Sequence, residues 1–173
     1  MATKASALAG GAQQSWTTAD RPPEGGRASF LLCRAGPNFC ALPLDHVSEI
    51  MRALPMEAVA GAPRYVRGLC VIRGAPAPIV DNGLLLGDRP TQAERLVAIK
   101  AGGRTVALAV DAVLGIRAIA AETCRELPPL LRDASEAIAA IGTLDSAFMF
   151  ILRTARIIPE DLLIHLRADG AAS

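Results

Sequence analysis

The sequence predicts an all-β protein made of two related units, and three observations lead to this conclusion. Short apolar segments separated by turn residues follow one another from Ala28 onward, a spacing typical of small β-barrels. A segment that starts at Phe30 recurs without gaps at Leu96. Residues 66–87 have the pattern of two strands joined at Arg73-Gly74 and followed by a brief helical turn.

The N-terminal segment differs in composition from the rest of the chain. Residues 1–27 are rich in Ala, Gly, Ser, Thr and Gln and end in prolines and glycines, which predicts a flexible tail. Its weak apolar run, broken by Gly10-Gly11, makes a poor signal peptide. No apolar segment reaches the length of a membrane span, and we expect a cytoplasmic protein. The folded domain is predicted at 28–167, with a flexible C-terminus at 168–173.

A β-hairpin opens the predicted domain. Its strands are residues 30–34 and 39–44, and the turn is Ala35-Gly36-Pro37-Asn38. Asp45 follows at a position suited to cap a short helical turn over residues 46–49. A further strand is predicted from Ile50.

The repeat extends over both parts of each unit. Residues 30–50 align with 96–116, so that Asp45 corresponds to Asp111, and residues 75–86 align with 147–158 in apolar pattern. The second copy therefore begins near residue 95. A C-terminal helix is predicted from Pro159, because acidic residues follow this proline and leucines then form an apolar stripe.

The strand that starts at Val66 has two different faces. One face is small or apolar and belongs to a core: Val66, Gly68, Cys70 and Ile72. The other face combines two arginines with two aliphatic residues: Arg67, Leu69, Val71 and Arg73. This mixture suits a protein-docking surface, and an ordinary hairpin with two surface arginines is an equally open interpretation. In the next strand Pro76 and Pro78 lie two positions apart, so both missing N–H groups fall on the same side of the strand. This indicates a sheet edge or a barrel rim.

Composition argues against several classes of function. A formal net charge of +1 and an aromatic content of 3% favour neither electrostatic attraction to nucleic acid nor base stacking. The four cysteines, Cys33, Cys40, Cys70 and Cys124, form no C-x-x-C pair and are predicted to fill cores. The two histidines lie far apart in sequence, so we expect no metal site.

Catalytic motifs are also missing from the sequence. Asp45 and Asp111 could suggest a carboxylate dyad, but neither is followed by the small hydroxyl residue and glycine of an aspartic-protease loop. Helix capping explains both aspartates more simply. The chain has no phosphate-binding loop or dinucleotide fingerprint. We therefore expect a non-enzymatic protein without a cofactor.

Three motifs in order carry a resemblance to a known family. They are V-x-E-I at 47–50, V-x-G-x-x-x-x-R-G-x-x-x-P-x-x-D at 66–81, and L-V-x-I-x-x-G-G-R-x-V-x-L-x-V-D-x-V-L-G at 96–115. Over residues 28–167 the chain resembles the CheW-like family of chemotaxis coupling proteins. The resemblance implies two SH3-like five-stranded β-barrels in a non-catalytic adaptor. Such adaptors link methyl-accepting chemoreceptors to a CheA-type sensor histidine kinase and meet the membrane only through the receptors.

The resemblance also implies site residues. Val47, Glu49 and Gly68 match positions tied to kinase or receptor docking, and Arg73 with Gly74 matches a turn tied to receptor contact. We add Arg67, Leu69 and Val71 from the mixed strand face. Three positions depart from the family pattern: Val71 stands where Asn is usual, Asn82 where Leu is usual, and Arg153 where Asp is frequent. A scaffold for a non-chemotactic kinase pathway and a small SH3-like nucleic-acid-binding module remain as alternatives.

Overall fold

The computed structural model describes residue 22 and residues 24–87, 89–132 and 136–158. The ten strands are β1 (Arg27–Ala35), β2 (Asn38–Pro43), β3 (Val47–Arg52), β4 (Val66–Ile72), β5 (Ala75–Asp81), β6 (Arg95–Ala101), β7 (Arg104–Val110), β8 (Ala112–Ala120), β9 (Ile138–Leu144) and β10 (Ala147–Leu152). The helices are α1 (Asn82–Leu86) and α2 (Pro129–Arg132), with 3₁₀ turns at Leu44–His46, Ala121–Thr123 and Thr154–Arg156. The all-β class is confirmed. The helix predicted from Pro159 and most of the predicted tail lie outside the described residues.

The strands form two five-stranded sheets with the same internal order. Sheet 1 has the order β8-β1-β2-β10-β9, and sheet 2 has the order β3-β6-β7-β5-β4. Each sheet combines the first hairpin of one repeat copy with the last three strands of the other copy. The boundary near residue 95 therefore separates the two copies of the repeat but does not separate the two sheets. The exchange arises because the chain leaves β2 through one 3₁₀ turn that carries β3 into the other sheet.

The strand register reproduces the repeat residue by residue. In sheet 1, Leu31 of β1 lies opposite Ile116 of β8, and in sheet 2 the equivalent Val97 of β6 lies opposite Ile50 of β3. The parallel pairings agree as well, since Ile151 lies opposite Ala41 and Ile79 opposite Ala107. The alignment made on sequence alone thus predicts equivalent positions in the two sheets.

Three apolar clusters form the core, one inside each sheet and one between the sheets. Phe30 and Leu32 of β1 lie in the cluster inside sheet 1, whereas Leu31 and Cys33 lie between the sheets. Strands buried on both faces read as continuous apolar runs, which explains the run that starts at Phe30. The cluster inside sheet 1 also contains Ile119 of β8 and Ala140 of β9, strands at opposite edges of that sheet. Sheet 1 therefore curls toward a barrel.

The cysteines occupy these clusters as predicted. All four, Cys33, Cys40, Cys70 and Cys124, are buried thiols outside any disulfide. The pKa of the Cys40 thiol is raised mainly by a hydrogen bond with Cys33 and to a smaller extent by burial. Burial raises the pKa of the Cys70 thiol. These thiols therefore act as small core residues. None of the helices in the described part of the chain is long and apolar enough to cross a membrane.

The capping role predicted for two aspartates is wrong. Asp45 lies inside the 3₁₀ turn Leu44–His46, is exposed, and makes no side-chain cap because β3 begins directly at Val47. The Asp111 carboxylate instead accepts the backbone N–H groups of Gly36 and Gln92, each at 2.6 Å. Asp111 therefore ties the β1–β2 turn to the segment that precedes β6.

The proline-containing strand, predicted at a sheet edge or a barrel rim, is not an edge strand, although its proline half has a neighbour on one side only. β5 lies between β4 and β7 in sheet 2. Its pairing with β7 starts at Ile79, after both Pro76 and Pro78, which pair only with β4. The missing N–H groups of the prolines are tolerated because this half of the strand has no ladder on its second side.

Candidate protein-docking site

The turn between β4 and β5 places an arginine beside the opposite edge of sheet 2. Arg73 and Gly74 both have positive φ angles, 51° and 79°, as in the type I′ turns that connect hairpin strands. From this turn Arg73 Nε donates to Glu49 Oε1 at 2.7 Å, and Nη2 donates to Oε2 at 3.4 Å. Glu49 belongs to β3, so the ion pair joins the two edge strands of the sheet.

The segment that connects β3 to β4 also contributes to this side of sheet 2. Glu57 and Leu69 exchange two backbone hydrogen bonds of 2.8 Å, so the connection runs along the free edge of β4. Gly68 makes this approach possible, because a Cβ there would lie 2.3 Å from the Glu57 carbonyl oxygen. Gly68 is buried and therefore supports the edge without offering a side chain to a partner.

Five of the predicted site residues lie where the edge strands β3 and β4 of sheet 2 are joined by the ion pair. They are called here the rim surface: Glu49, Leu69, Val71, Arg73 and Gly74. Val71 is 65% exposed, a high value for a valine. The Arg73 side chain is 79% exposed although it is held by Glu49, whose side chain is 30% exposed. The rim surface thus presents an ordered guanidinium next to an apolar side chain, a combination suited to a protein partner.

Arg67 and Val47 have other surroundings. Arg67 occupies a bulge in β4 between Val66 and Gly68 and donates from Nε to Asp81 Oδ2 at 2.6 Å and from Nη2 to the Thr91 carbonyl at 2.5 Å. Its side chain is only 23% exposed. Val47 packs against the cluster between the sheets. The structure therefore does not bring Arg67, Gly68 or Val47 into the rim surface.

The acceptor for Arg67 is a buried carboxylate that the sequence reasoning missed. Asp81 is fully buried and accepts hydrogen bonds from the N–H groups of Gly83 at 2.9 Å, Leu84 at 3.1 Å and Thr91 at 3.0 Å. The Thr91 hydroxyl adds a bond of 3.2 Å. This side chain caps α1 and joins β4, β5 and the segment before β6. The sequence Asp81-Asn82-Gly83 is a turn signal that could have indicated such a cap.

The next residue, Asn82, is buried without full hydrogen bonding. Its Nδ2 donates to Cys40 Sγ at 3.1 Å, and its Oδ1 has no partner. An unpaired buried polar atom costs about 1–3 kcal/mol. We expect Asn82→Leu to raise the free energy of unfolding by about 1 kcal/mol, because a side chain of similar size replaces the amide and only one weak bond to sulfur is lost.

Urea unfolding followed by circular dichroism measures this change. The matched variant is Thr91→Val, which also replaces a buried polar side chain with an apolar one of similar shape. It should lower the stability, since the Thr91 hydroxyl is bonded to Asp81. A loss of stability in Asn82→Leu would contradict the prediction.

The ion pair in the rim surface gives a prediction on pH. The hydrogen bond from Arg73 lowers the pKa of the Glu49 carboxyl. Because the pKa is lowered in the folded state, the stabilisation by this pair is present above the usual glutamate pKa of about 4.3. It is lost as the pH falls through the lowered folded value. An NMR titration of the Glu49 carboxyl carbon should show the lowered midpoint, and Arg73→Gln should return it to the usual value. An unchanged midpoint in that variant would contradict the assignment.

Comparisons with known proteins give a consistent result. A model of the CheW-like domain matches residues 29–161. The chain is 31% identical over 112 residues to the chemotaxis protein CheW of Rhizobium meliloti (strain 1021), covering 63% of this chain and 72% of the relative. It is 28% identical over 111 residues to a probable chemotaxis protein CheW of Rhizobium etli, covering 62% and 72%.

A solved structure supports the fold. The crystal structure of the scaffolding protein CheW from Thermoanaerobacter tengcongensis superposes with a TM-score of 0.65 at 18% identity, covering 76% of this chain and 92% of that one. At this identity the likeness concerns the fold alone, and the family assignment depends on the match over residues 29–161 and on the sequence relatives. The chain belongs to the CheW-like family.

Proposed function

We propose that this protein is a non-catalytic chemotaxis adaptor in the cytoplasm, which couples methyl-accepting chemoreceptors to a CheA-type sensor histidine kinase. The observation that carries the proposal is the rim surface, found in a chain that belongs to the CheW-like family. Coupling in this proposal is a matter of docking: the adaptor holds the receptor tip and the regulatory domain of the kinase in a fixed relative placement.

The chemistry of the rim surface supports a protein partner. The exposed Arg73 guanidinium keeps free donors after its bonds to Glu49, and it can bind a carboxylate or an amide oxygen of the partner. Val71 offers apolar area beside it. Because Glu49 already orders Arg73, less side-chain entropy is lost on docking. Arginine with adjacent apolar area is typical of the residues that dominate protein interfaces.

Asp111, one of the two aspartates considered as a catalytic dyad, and the buried Asp81 both make structural hydrogen bonds, which supports a non-enzymatic role. Asp81 is surrounded by donors from four residues, and Asp111 holds two backbone N–H groups. These side chains hold the fold together, and the proposed activity belongs to the kinase partner.

Reversing the charge at Arg73 tests the proposal. We expect Arg73→Glu to weaken capture of a receptor tip fragment by about thirtyfold, equivalent to about 2 kcal/mol for the loss of an arginine at the centre of an interface. Co-purification with the receptor tip fragment and the kinase regulatory domain provides the measurement. Urea unfolding should show little change, because exposed ion pairs contribute about 0–1 kcal/mol.

Two further variants separate direct contact from an effect on the fold. Arg125→Glu reverses an exposed arginine near sheet 1 and should leave receptor capture unchanged. The double variant Glu49→Arg with Arg73→Glu restores an ion pair between β3 and the β4–β5 turn. If Arg73 contacts the receptor directly, the exchanged pair does not restore capture. If Arg73→Glu captured the receptor tip fragment as well as the wild-type protein does, Arg73 would not belong to the docking site.

A non-chemotactic kinase pathway would use the same fold, and the co-purification experiment distinguishes it. Binding to the kinase regulatory domain without binding to any receptor tip fragment would favour that pathway. Salt-dependent association with nucleic acid would instead favour a nucleic-acid-binding module.

A further inference from the structure

Two of the buried cysteines face each other across the β1–β2 hairpin and are called here the facing thiols. Cys33 of β1 lies directly opposite Cys40 of β2, and both side chains belong to the cluster between the sheets. The Cys40 thiol donates to the Cys33 carbonyl at 3.7 Å, so its sulfur is directed toward β1. Facing residues on antiparallel strands have Cα atoms about 4.5–5.5 Å apart, inside the range of about 4.4–6.8 Å found in disulfides.

The repeat shows that packing at this place does not require sulfur. The equivalent residues in the second copy are Ile99 and Val106, which face each other in sheet 2 and also belong to the cluster between the sheets. The other two cysteines lie elsewhere, Cys70 in the cluster inside sheet 2 and Cys124 in the cluster inside sheet 1. The facing thiols are therefore the pair of cysteines that the fold places side by side.

The short helix α1 covers the facing thiols. Its first residue, Asn82, donates from Nδ2 to Cys40 Sγ at 3.1 Å, and Leu85 and Leu86 pack against the same cluster. The buried Oδ1 of Asn82 has no hydrogen-bond partner among the described residues, which penalises the closed position of α1. A helix of five residues also has little stability of its own. Local opening of α1 is therefore the route by which a small molecule reaches Cys40.

We propose that the facing thiols form an intramolecular disulfide when α1 opens and hydrogen peroxide reaches Cys40. The Cys40 sulfur attacks one peroxide oxygen and the O–O bond breaks. Cys40 becomes a sulfenic acid, and the thiol proton leaves with the other oxygen as water. The Cys33 sulfur then attacks the Cys40 sulfur, the S–S bond forms, and a second water leaves. Two thiols are oxidised and one peroxide is reduced to two waters, and an added dithiol reverses the change by exchange.

The closed protein protects Cys40 from this reaction. The hydrogen bond with Cys33 and burial raise the pKa of the Cys40 thiol, and the thiolate is the reactive form. The rate of oxidation is therefore governed by the opening of α1. Because Asn82 follows β5 of sheet 2 and contacts Cys40 of sheet 1, a new bond between the facing thiols changes a contact between the two sheets. The inference goes beyond the proposed adaptor function and does not depend on it.

Peptide mapping of the full-length chain tests the proposal. The protein is treated with hydrogen peroxide, and the remaining thiols are blocked with iodoacetamide. Trypsin cleaves after Arg34, so the disulfide joins the peptides 28–34 and 35–52, which mass spectrometry detects. We expect this linked pair to be the main product and to disappear on treatment with dithiothreitol. Cys40→Val, which introduces the residue type of the second copy, should abolish the linked pair, whereas the matched variant Cys70→Val should leave it unchanged.

Asn82→Leu tests the role of α1 separately. We expect the disulfide to form about fivefold more slowly, the ratio that follows from the gain in stability predicted for this variant. The exposed control Asp45→Ala should leave the rate unchanged. Equal rates in the wild-type protein and Asn82→Leu would overturn the opening of α1 as the step that admits peroxide.

Two other outcomes would overturn the proposal as a whole. One is a linked pair that is absent from the native protein and forms only after unfolding by urea. The other is linkage of the facing thiols to Cys70 or Cys124 at the same rate, because those residues lie in other clusters and would be reached only through global unfolding.

Discussion

Replacing Asp81 with alanine is expected to lower the free energy of unfolding by about 3–5 kcal/mol, the usual loss when one partner of a buried ion pair is removed. The fully buried carboxylate holds Arg67 and accepts backbone N–H groups at the start of α1 and at Thr91. Its loss leaves these donors without their acceptor, among them the buried N–H groups of Gly83 and Thr91. Urea unfolding followed by circular dichroism measures the effect.

Asp45→Ala is the matched control for this variant. Asp45 is exposed and provides no cap, so we expect a change within about 0.5 kcal/mol, as for most surface substitutions. If Asp81→Ala were as mild as Asp45→Ala, the hydrogen-bond network around Asp81 would contribute little. Arg67→Met offers an independent check, because it removes the cation and leaves the N–H donors in place. It should cost less than Asp81→Ala.

The second large effect is expected at Gly68. A Cβ at this position would lie 2.3 Å from the Glu57 carbonyl oxygen, and the backbone has φ +156°. Strained backbone costs about 1–3 kcal/mol, and overpacking against an atom that must move costs a further 1–3 kcal/mol or so. We therefore expect Gly68→Ala to destabilise the protein by about 3 kcal/mol and to displace Glu57 from the edge of β4.

Gly102→Ala separates backbone strain from steric overlap. Gly102 also has a positive φ, +56°, but a Cβ there would meet nothing within 4 Å. Its substitution should cost only about 1–2 kcal/mol, the left-handed penalty for a residue with a Cβ. Equal losses in the two variants would show that the Glu57 segment moves aside without cost. Hydrogen exchange at the Glu57 and Leu69 amides shows directly whether the pairing is lost.

Much of the fold could be predicted from the sequence because the strands repeat. Alternation in β4 identified its buried face, and the alignment of residues 30–50 with 96–116 fixed equivalent registers in both sheets. The exchange of strands between the copies could not be predicted. Apolar patterns state that a strand is buried, but they do not state which of two similar sheets receives it.

The exposed positions of the candidate site were predicted in part for a similar reason. Alternation along β4 correctly placed Val71 and Arg73 at the surface, but it also assigned Arg67 to the docking face. Arg67 lies at the bulge between Val66 and Gly68, and its guanidinium is bound by Asp81 and by the Thr91 carbonyl. These hydrogen bonds join residues that are 14 and 24 positions apart in the chain. Strand periodicity contains no information on such contacts.

The exchanged strands make the halves of this polypeptide mutually dependent. A fragment that ends near residue 94 carries only β1 and β2 of one sheet and β3, β4 and β5 of the other, so it has two incomplete cores and several open edges. Two identical fragments of this kind could complete each other only as an intertwined homodimer. The present chain is thus the covalent counterpart of a domain-swapped pair, in which fusion of the two halves removes any dependence of folding on protein concentration.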